Sequence, residues 1–208
     1  MLLASTVFAQ RVEMANGDKT FYGGLVFGAN FSTVEGDNYG GFHKVGINGG
    51  ATVYVKLLGS FYGNVEILYS QKGSRGVKTV SSIYTGQGVE RYFLDLNYVE
   101  IPLIINYFYN DKWHGGLGVS YSQLINSKED AYAAQPVYLK EDPSSFKSSD
   151  MNLLLNLGYQ FGRSLYLNAR YGYSLSTIRD PQRVPVGFGN GSNQFNSLFS
   201  LRLMYLFP

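Results

Sequence analysis

Cysteine is absent from the 208 residues, which removes disulfide frameworks, thiol nucleophiles and cysteine-based zinc sites together. Histidine is nearly absent as well, with only His43 and His114 in the chain. Charged residues make up 15% and the formal net charge is +2. A phosphate-binding surface needs clustered lysine and arginine, so nucleic acid is not an expected partner. There is no run of about eighteen apolar residues, and a membrane-spanning helix is therefore not expected. The glycines of Gly187-Phe188-Gly189-Asn190-Gly191 resemble a phosphate cradle, but no helix follows to supply amides and a dipole, and they read as a loop.

What the chain does have is tyrosine (18), phenylalanine (14) and glycine (25), at a mean hydropathy of only −0.10. Few charges with little net hydrophobicity is what results when each strand balances an apolar face with a polar one. From Val45 to Leu57 the alternation is unbroken: Val45, Ile47, Gly49, Ala51, Val53, Val55 and Leu57 on one side, Asn48, Thr52, Tyr54 and Lys56 among the residues on the other. After Leu58-Gly59-Ser60 it resumes, with Phe61, Val65, Ile67 and Tyr69 against Tyr62, Asn64, Glu66, Ser70 and Lys72. This is the period of a strand, and about ten tilted residues cross a hydrocarbon layer.

The same pattern predicts strands over Phe21–Thr33, Phe93–Phe108, Trp113–Leu124, Met151–Phe161, Leu165–Thr177 and Phe195–Phe207. The fourth strand is irregular, because Leu94 and Leu96 share one phase and Ile101, Leu103, Ile105 and Tyr107 the other. A bulge near Asn97-Tyr98 reconciles them. Pro102, lacking an N–H, requires a position with no ladder bond. Turns after strands two, four and six are about three residues; the other connections (34–44, 73–91, 125–150 and 178–194) run to about ten to twenty-five, the asymmetry of outer-membrane barrels. The fold expected is all-β, an eight-stranded antiparallel up-and-down transmembrane β-barrel, with residues 21–208 as a single domain and both termini periplasmic. Residues 10–20 form a periplasmic lead-in. Residues 1–9 read as the end of a secretory signal, with Val7 and Ala9 before a cut preceding Gln10; without a basic n-region, either the true start lies upstream or the segment is a short leader.

Two segments carry a resemblance: Tyr69-Ser70-Gln71-Lys72-Gly73, and Leu96-Asn97-Tyr98-Val99-Glu100-Ile101-Pro102-Leu103. They resemble the PorT-like outer-membrane β-barrel family, over roughly Phe21 to Phe207. The resemblance implies an outer-membrane barrel of a Gram-negative cell. The founding member is tied to a protein-secretion pathway, while most members have no assigned activity.

Glu66, Glu100, Arg170 and Arg202 all fall on the inward face near mid-depth. An interior this narrow makes unpaired charge costly, so the four are expected to form a lumen charge network, with Lys56 and Lys72 at its ends. A plug that fixes barrel geometry and an ion path or gate are both compatible with it. Phe21, Phe61, Trp113, Phe161, Tyr205 and Phe207 are expected to form a periplasmic aromatic belt, and Phe31, Tyr69, Tyr121, Tyr173 and Phe195 an outer one. His43 and His114 fall at opposite membrane faces as interface residues, which leaves no metal site, catalytic pair or cofactor site. A surface hydrolase would have to use His43 with Ser32 or Glu35, and no spacing supports it. The longest loop mixes Lys128, Glu129, Asp130, Tyr132, Tyr138, Lys140, Glu141, Asp142 and Phe146, a surface suited to partners. The expected function is a non-enzymatic outer-membrane barrel with a plugged lumen, an accessory or structural subunit acting through its loops or outer wall. Its partners would be outer-membrane lipid and an outer-membrane protein complex of secretion or assembly. A small-solute or ion channel is the alternative, and an outer-face lipid-modifying enzyme the third reading.

Overall fold

The computed structural model describes residues 19–82, 86–110, 112–132, 146–184 and 191–208. The expected signal remnant at 1–9, residues 10–18 of the lead-in, residues 133–145 of the longest loop and residues 187–190 of the glycine-rich stretch lie outside them. Eight antiparallel strands follow one another around a closed barrel: β1 (Phe21–Glu35), β2 (Lys44–Leu58), β3 (Phe61–Ser82), β4 (Gly86–Phe108), β5 (Trp113–Tyr132), β6 (Ser149–Gln160), β7 (Leu165–Ser174) and β8 (Phe195–Leu206). Closure is made by β1 on β8, in register from Gly24 opposite Leu206 to Glu35 opposite Phe195. Among the described residues the ladder runs unbroken around the membrane band, as a barrel in hydrocarbon requires, while β3 beyond Ser70 and β5 beyond Gln123 pair with β4 alone.

Short turns gather at one end. Gly59, at φ +55°, takes the left-handed corner between β2 and β3, a conformation that costs glycine little. Between β4 and β5, the Asn110 side-chain oxygen accepts the backbone N–H groups of Lys112 (2.9 Å) and Trp113 (2.8 Å), a side chain imitating a backbone turn.

At the other end the strands overrun their expected limits. The stretch 73–91, read from sequence as a long connection, instead continues the β3–β4 ladder from Gly73 opposite Asp95 to Ser82 opposite Gly86. Likewise β5 runs on to Tyr132, opposite Arg91. Beyond the apolar band the outward face carries charged residues such as Arg75, Arg91 and Asp95, so alternation lapses in the sequence while the hydrogen-bond ladder continues. β7 stops early, at Ser174, because Ile178 turns in to become fully buried and Arg179 bridges to Gln194.

The register shift falls between Asn97 and Tyr98, but the extra residue is Ile125 on β5, between Leu124 opposite Tyr98 and Asn126 opposite Asn97. It does not bring Leu94 and Leu96 outward. The even-numbered residues of β4 from Tyr92 to Phe108 are all buried, so Leu94 and Leu96 are interior side chains. Pro102 pairs with Ser120 on β5, whereas pairing with β3 lapses between Leu103 opposite Val65 and Glu100 opposite Leu68. The missing donor therefore coincides with a gap in the ladder.

Two apolar clusters occupy the interior. Tyr22, Tyr54, Tyr62, Phe108, Tyr166 and Leu206 belong to the one near the short turns; Val34, Tyr39, Tyr92, Leu94, Leu96, Tyr98, Phe146 and Ile178 make the one at the far end. The polar layer between them holds Glu66, Lys72, Glu100, Asp150, Arg170 and Arg202, all buried.

Candidate functional site

Six ionisable side chains meet in that layer, and none is more than 3% exposed. Glu66 on β3 receives both amino groups of Arg170 from β7, at 2.8 and 3.0 Å. The Arg202 guanidinium on β8 donates to the same carboxylate at 3.0 Å and through Nε to the Asn168 side-chain oxygen at 3.0 Å. Arg170 Nε donates to the side-chain oxygen of Asn156 (3.3 Å), whose amide nitrogen donates to the oxygen of Asn106 (3.1 Å). Next to this group, Lys72 Nζ lies 3.3 Å from Glu100 and 3.9 Å from Asp150, donates to Ser122 and Asn152 at 3.3 Å each, and sits 5.1 Å from the Tyr98 ring centre. Asp150 accepts from Ser174 (2.9 Å) and Asn196 (3.0 Å).

The structure thus gathers Glu66, Arg170 and Arg202 into one cluster and assigns Glu100 to Lys72 and Asp150. Lys56, near the short turns and opposite Tyr62, is half-buried. Three cations (Lys72, Arg170, Arg202) face three carboxylates (Glu66, Glu100, Asp150), a formal sum of zero. Bidentate guanidinium–carboxylate bonds with the remaining donors satisfied are the arrangement in which burial of charge is tolerated. Asp150 was not foreseen, although it lies in phase with inward-facing Asn152 and Asn156, one position past where the strand was expected to start.

A second charged contact lies at the far end, between residues read from sequence as solvated loop. Arg179, 1% exposed, donates both amino groups to Glu129 at 2.8 Å. The Tyr92 hydroxyl donates to the same carboxylate at 2.6 Å, and the guanidinium carbon stands 4.3 Å from the Phe146 ring centre. This clamp ties the segment after β7 to β5.

The outer wall is the converse of the interior. Among the described residues, the outward positions between Phe21 and Phe31, Val45 and Leu57, Phe61 and Tyr69, Val99 and Tyr107, Trp113 and Tyr121, Met151 and Tyr159, Leu165 and Tyr173, and Phe199 and Phe207 include no ionisable side chain other than tyrosine. An apolar band around a closed barrel with its charges inside is the inverse of a water-soluble protein. A family model described as the outer membrane protein beta-barrel domain matches residues 8–180. The chain belongs to this family. A comparison with curated proteins finds no match. Among solved structures, this outer-membrane barrel is similar to Ail, the attachment invasion locus protein of Yersinia pestis (12% identity over 91% of this chain and 100% of that one, TM-score 0.48). It is also similar to Neisserial surface protein A (13%, 90% and 97%, TM-score 0.49) and to OprG from Pseudomonas aeruginosa (12%, 90% and 94%, TM-score 0.41).

On the barrel's outer wall Phe21, Phe61, Trp113, Phe161, Tyr205 and Phe207 are exposed at the short-turn end. Phe61 meets Tyr107 at 5.0 Å, Trp113 meets Tyr159 at 4.6 Å and Tyr205 meets Phe207 at 5.8 Å between ring centres. Toward the other end Tyr69 and Tyr121 are exposed, while Phe31, Tyr173 and Phe195 are half-buried. Tyr173 stacks on Phe195 at 6.3 Å and donates its hydroxyl to Glu35 at 3.0 Å.

The histidines do stand at opposite ends of the barrel, His43 just before β2 and His114 at the start of β5. His43 is exposed. His114 is not an interface residue: it is 1% exposed, stacked on Phe108 at 4.6 Å and edge-on to Tyr54 and Tyr166. Its ring lies over Gly158, directly opposite in the β5–β6 ladder, where any Cβ would strike the imidazole. Among the described residues no group of three or more His, Asp or Glu side chains is arranged to hold a metal ion.

Proposed function

We propose that this outer-membrane barrel is a non-conducting, non-enzymatic protein of a Gram-negative cell, with a plugged lumen, working as an accessory or structural subunit through its outer wall and exposed hairpins. The observation that carries the reading is the interior: a charge-neutral layer of three carboxylates and three cations, each in ion-pair contact, between two apolar clusters. Ions crossing it would have to break these buried pairs. The same pairing keeps the carboxylates engaged by cations, which suits neither a proton donor nor a nucleophile.

The short-turn end, with both termini, faces the periplasm in this reading and the long strand extensions stand outside the cell. The disparity between the two ends supports that orientation, because outer-membrane barrels have short periplasmic turns and longer extracellular loops. The exposed aromatics at either edge of the apolar band then serve as belts at the two lipid surfaces. The PorT-like segments 69–73 and 96–103 support membership in a secretion or assembly complex. Planar-bilayer recording of the purified chain tests the plugged lumen: no steady unit conductance is expected, and a reproducible one overturns it. Affinity purification from native membranes in mild detergent tests the subunit role, which calls for a stoichiometric companion protein; recovery of the barrel alone counts against it.

A further inference from the structure

We propose that the cleft between the β1–β2 connection and the β3–β4 hairpin binds the phosphorylated saccharide headgroup of a membrane glycolipid. The cleft has a volume of about 540 Å³, in the range of sites that hold a small molecule of one or two sugar rings. Arg75, Lys78 and His43 line it together with Asn38, Tyr39 and Phe93, and among its described lining residues there is no carboxylate. Asp95, outside the lining, is engaged by Lys44 and lies 3.8 Å from Arg75. The Arg75 side chain is still 45% exposed, so its planar donors remain accessible to a phosphate. Glu90 stands opposite Lys78 in the ladder.

The apolar part of the cleft suits a sugar ring. Phe93 has the Arg75 guanidinium 5.9 Å from its ring centre, and Tyr39 is held in place by stacking on Tyr92 at 5.1 Å and 9°. Tyr39 lies against Gly76, where a Cβ would strike its ring, so the cleft keeps its shape only with glycine there. Height separates a saccharide from a simpler lipid headgroup. Arg75 follows Tyr69 by six residues on the outward side of β3, about 20 Å along the strand and about 15 Å along the membrane normal at the usual barrel tilt. A phosphate attached directly to an acyl glycerol sits at the level of the aromatics; one carried on a saccharide reaches Arg75. The assignment to a leaflet rests on the orientation proposed above.

The test uses the full chain in detergent micelles with rough lipopolysaccharide bearing a phosphorylated inner core, and the same material after enzymatic dephosphorylation. Native mass spectrometry reads the fraction of protein that retains glycolipid. Retention of the phosphorylated form over the dephosphorylated one is expected, and the double variant Arg75→Gln/Lys78→Gln should weaken it by about ten-fold to a hundred-fold, the scale of one lost charge-assisted hydrogen bond. Phe93→Ala, which leaves the charges in place, should weaken it also. Both variants lie on the exposed hairpin, and heat-modifiable gel mobility reports that their barrels are folded. Equal retention of the two glycolipids, or retention unchanged in the double variant, overturns the proposal. Binding of glucose 1-phosphate with no retention of glycolipid overturns the membrane source. Labelling of Lys78→Cys by a membrane-impermeant maleimide in intact cells is required as well; protection from the label removes the leaflet assignment while leaving the micelle result to stand on its own.

Discussion

Glu66 is the residue on which the buried layer depends most, and Glu66→Gln isolates its charge from its shape. One carboxylate receives three hydrogen bonds from two guanidinium groups, at 2.8, 3.0 and 3.0 Å. The amide offers a single acceptor oxygen and no charge, so Arg170 loses its bidentate partner. Placed at the Oε2 position, that oxygen keeps one bond from each guanidinium, while the amide NH2 faces the second amino group of Arg170, donor against donor, and two cations then face each other without the carboxylate between them. Removing one member of a buried pair costs about 3–5 kcal/mol, and the upper half of that range is expected because two partners are stranded. Arg202→Gln should cost less, about 1–3 kcal/mol, since Glu66 retains both bonds to Arg170. Replacing the whole cluster with Glu66→Leu, Arg170→Met and Arg202→Met, together with Asp150→Asn so that Lys72 and Glu100 remain as a neutral pair, should return stability to within about 2 kcal/mol of the parent, because an apolar filling avoids the desolvation of the removed charges. Guanidinium unfolding in lipid vesicles, followed through the fluorescence of Trp113, the chain's single tryptophan, measures all four proteins. A loss below about 1 kcal/mol for Glu66→Gln, or a larger loss for Arg202→Gln than for Glu66→Gln, would refute the reasoning.

Three further outcomes follow from the geometry. Gly158→Ala places a methyl group against His114 and should cost about 1–3 kcal/mol, recovered in large part by adding His114→Ala; denaturant midpoints of the two variants check it. Arg179→Ala frees Glu129 and uncovers Phe146, so amide exchange at 146–148 and 178–180 should rise while the barrel strands stay protected; unchanged exchange there would mean the clamp does not hold the segment. Asp37, between β1 and β2, has its carboxyl raised to about 6, chiefly by burial and against the opposing hydrogen bond from the Tyr39 backbone N–H at 2.8 Å. A folded-state value above the unfolded one means the protonated acid is favoured by folding, so its stabilisation is fully present below about pH 4 and lost as pH rises through about 6. Amides 37–42, corrected for intrinsic rate, should be better protected at pH 5 than at pH 7.5, and Asp37→Asn should abolish the difference.

What was legible in the sequence was the environment of each strand face. Alternation over Val45–Leu57 and Phe61–Lys72 reports that one side meets lipid and the other does not, and the short turns at Gly59-Ser60 and Asn110 report which ends join. The rule fails where the outward face stops being apolar. Residues 73–82, 86–91 and 125–132 are paired along their length, but outward positions such as Arg75 and Arg91 carry charge, so their hydropathy does not separate strand from loop. It fails in the other direction at Leu94 and Leu96, apolar residues on the inward face, because an interior beyond the membrane band is free to be packed like a soluble core.

Pair identity is a different quantity from facing direction, and alternation carries none of it. An inward charge in a barrel of eight strands has so little space around it that a partner is required; hence Glu66, Glu100, Arg170 and Arg202 announce that bridges exist. Which bridge forms depends on the stagger between strands as the sheet closes, since stagger sets which residues share a level across the lumen. Glu66 and Arg170 are 104 residues apart and on strands that never touch through their backbones, while Glu100, equally well placed by pattern, meets Lys72 from its neighbour β3 and Asp150 completes that group from β6. The same holds for Arg179 and Glu129, whose contact depends on how the chain returns over the rim after β7. Such contacts are properties of closure, so a single Glu66→Gln substitution tests the closed barrel's geometry as directly as it tests the charge.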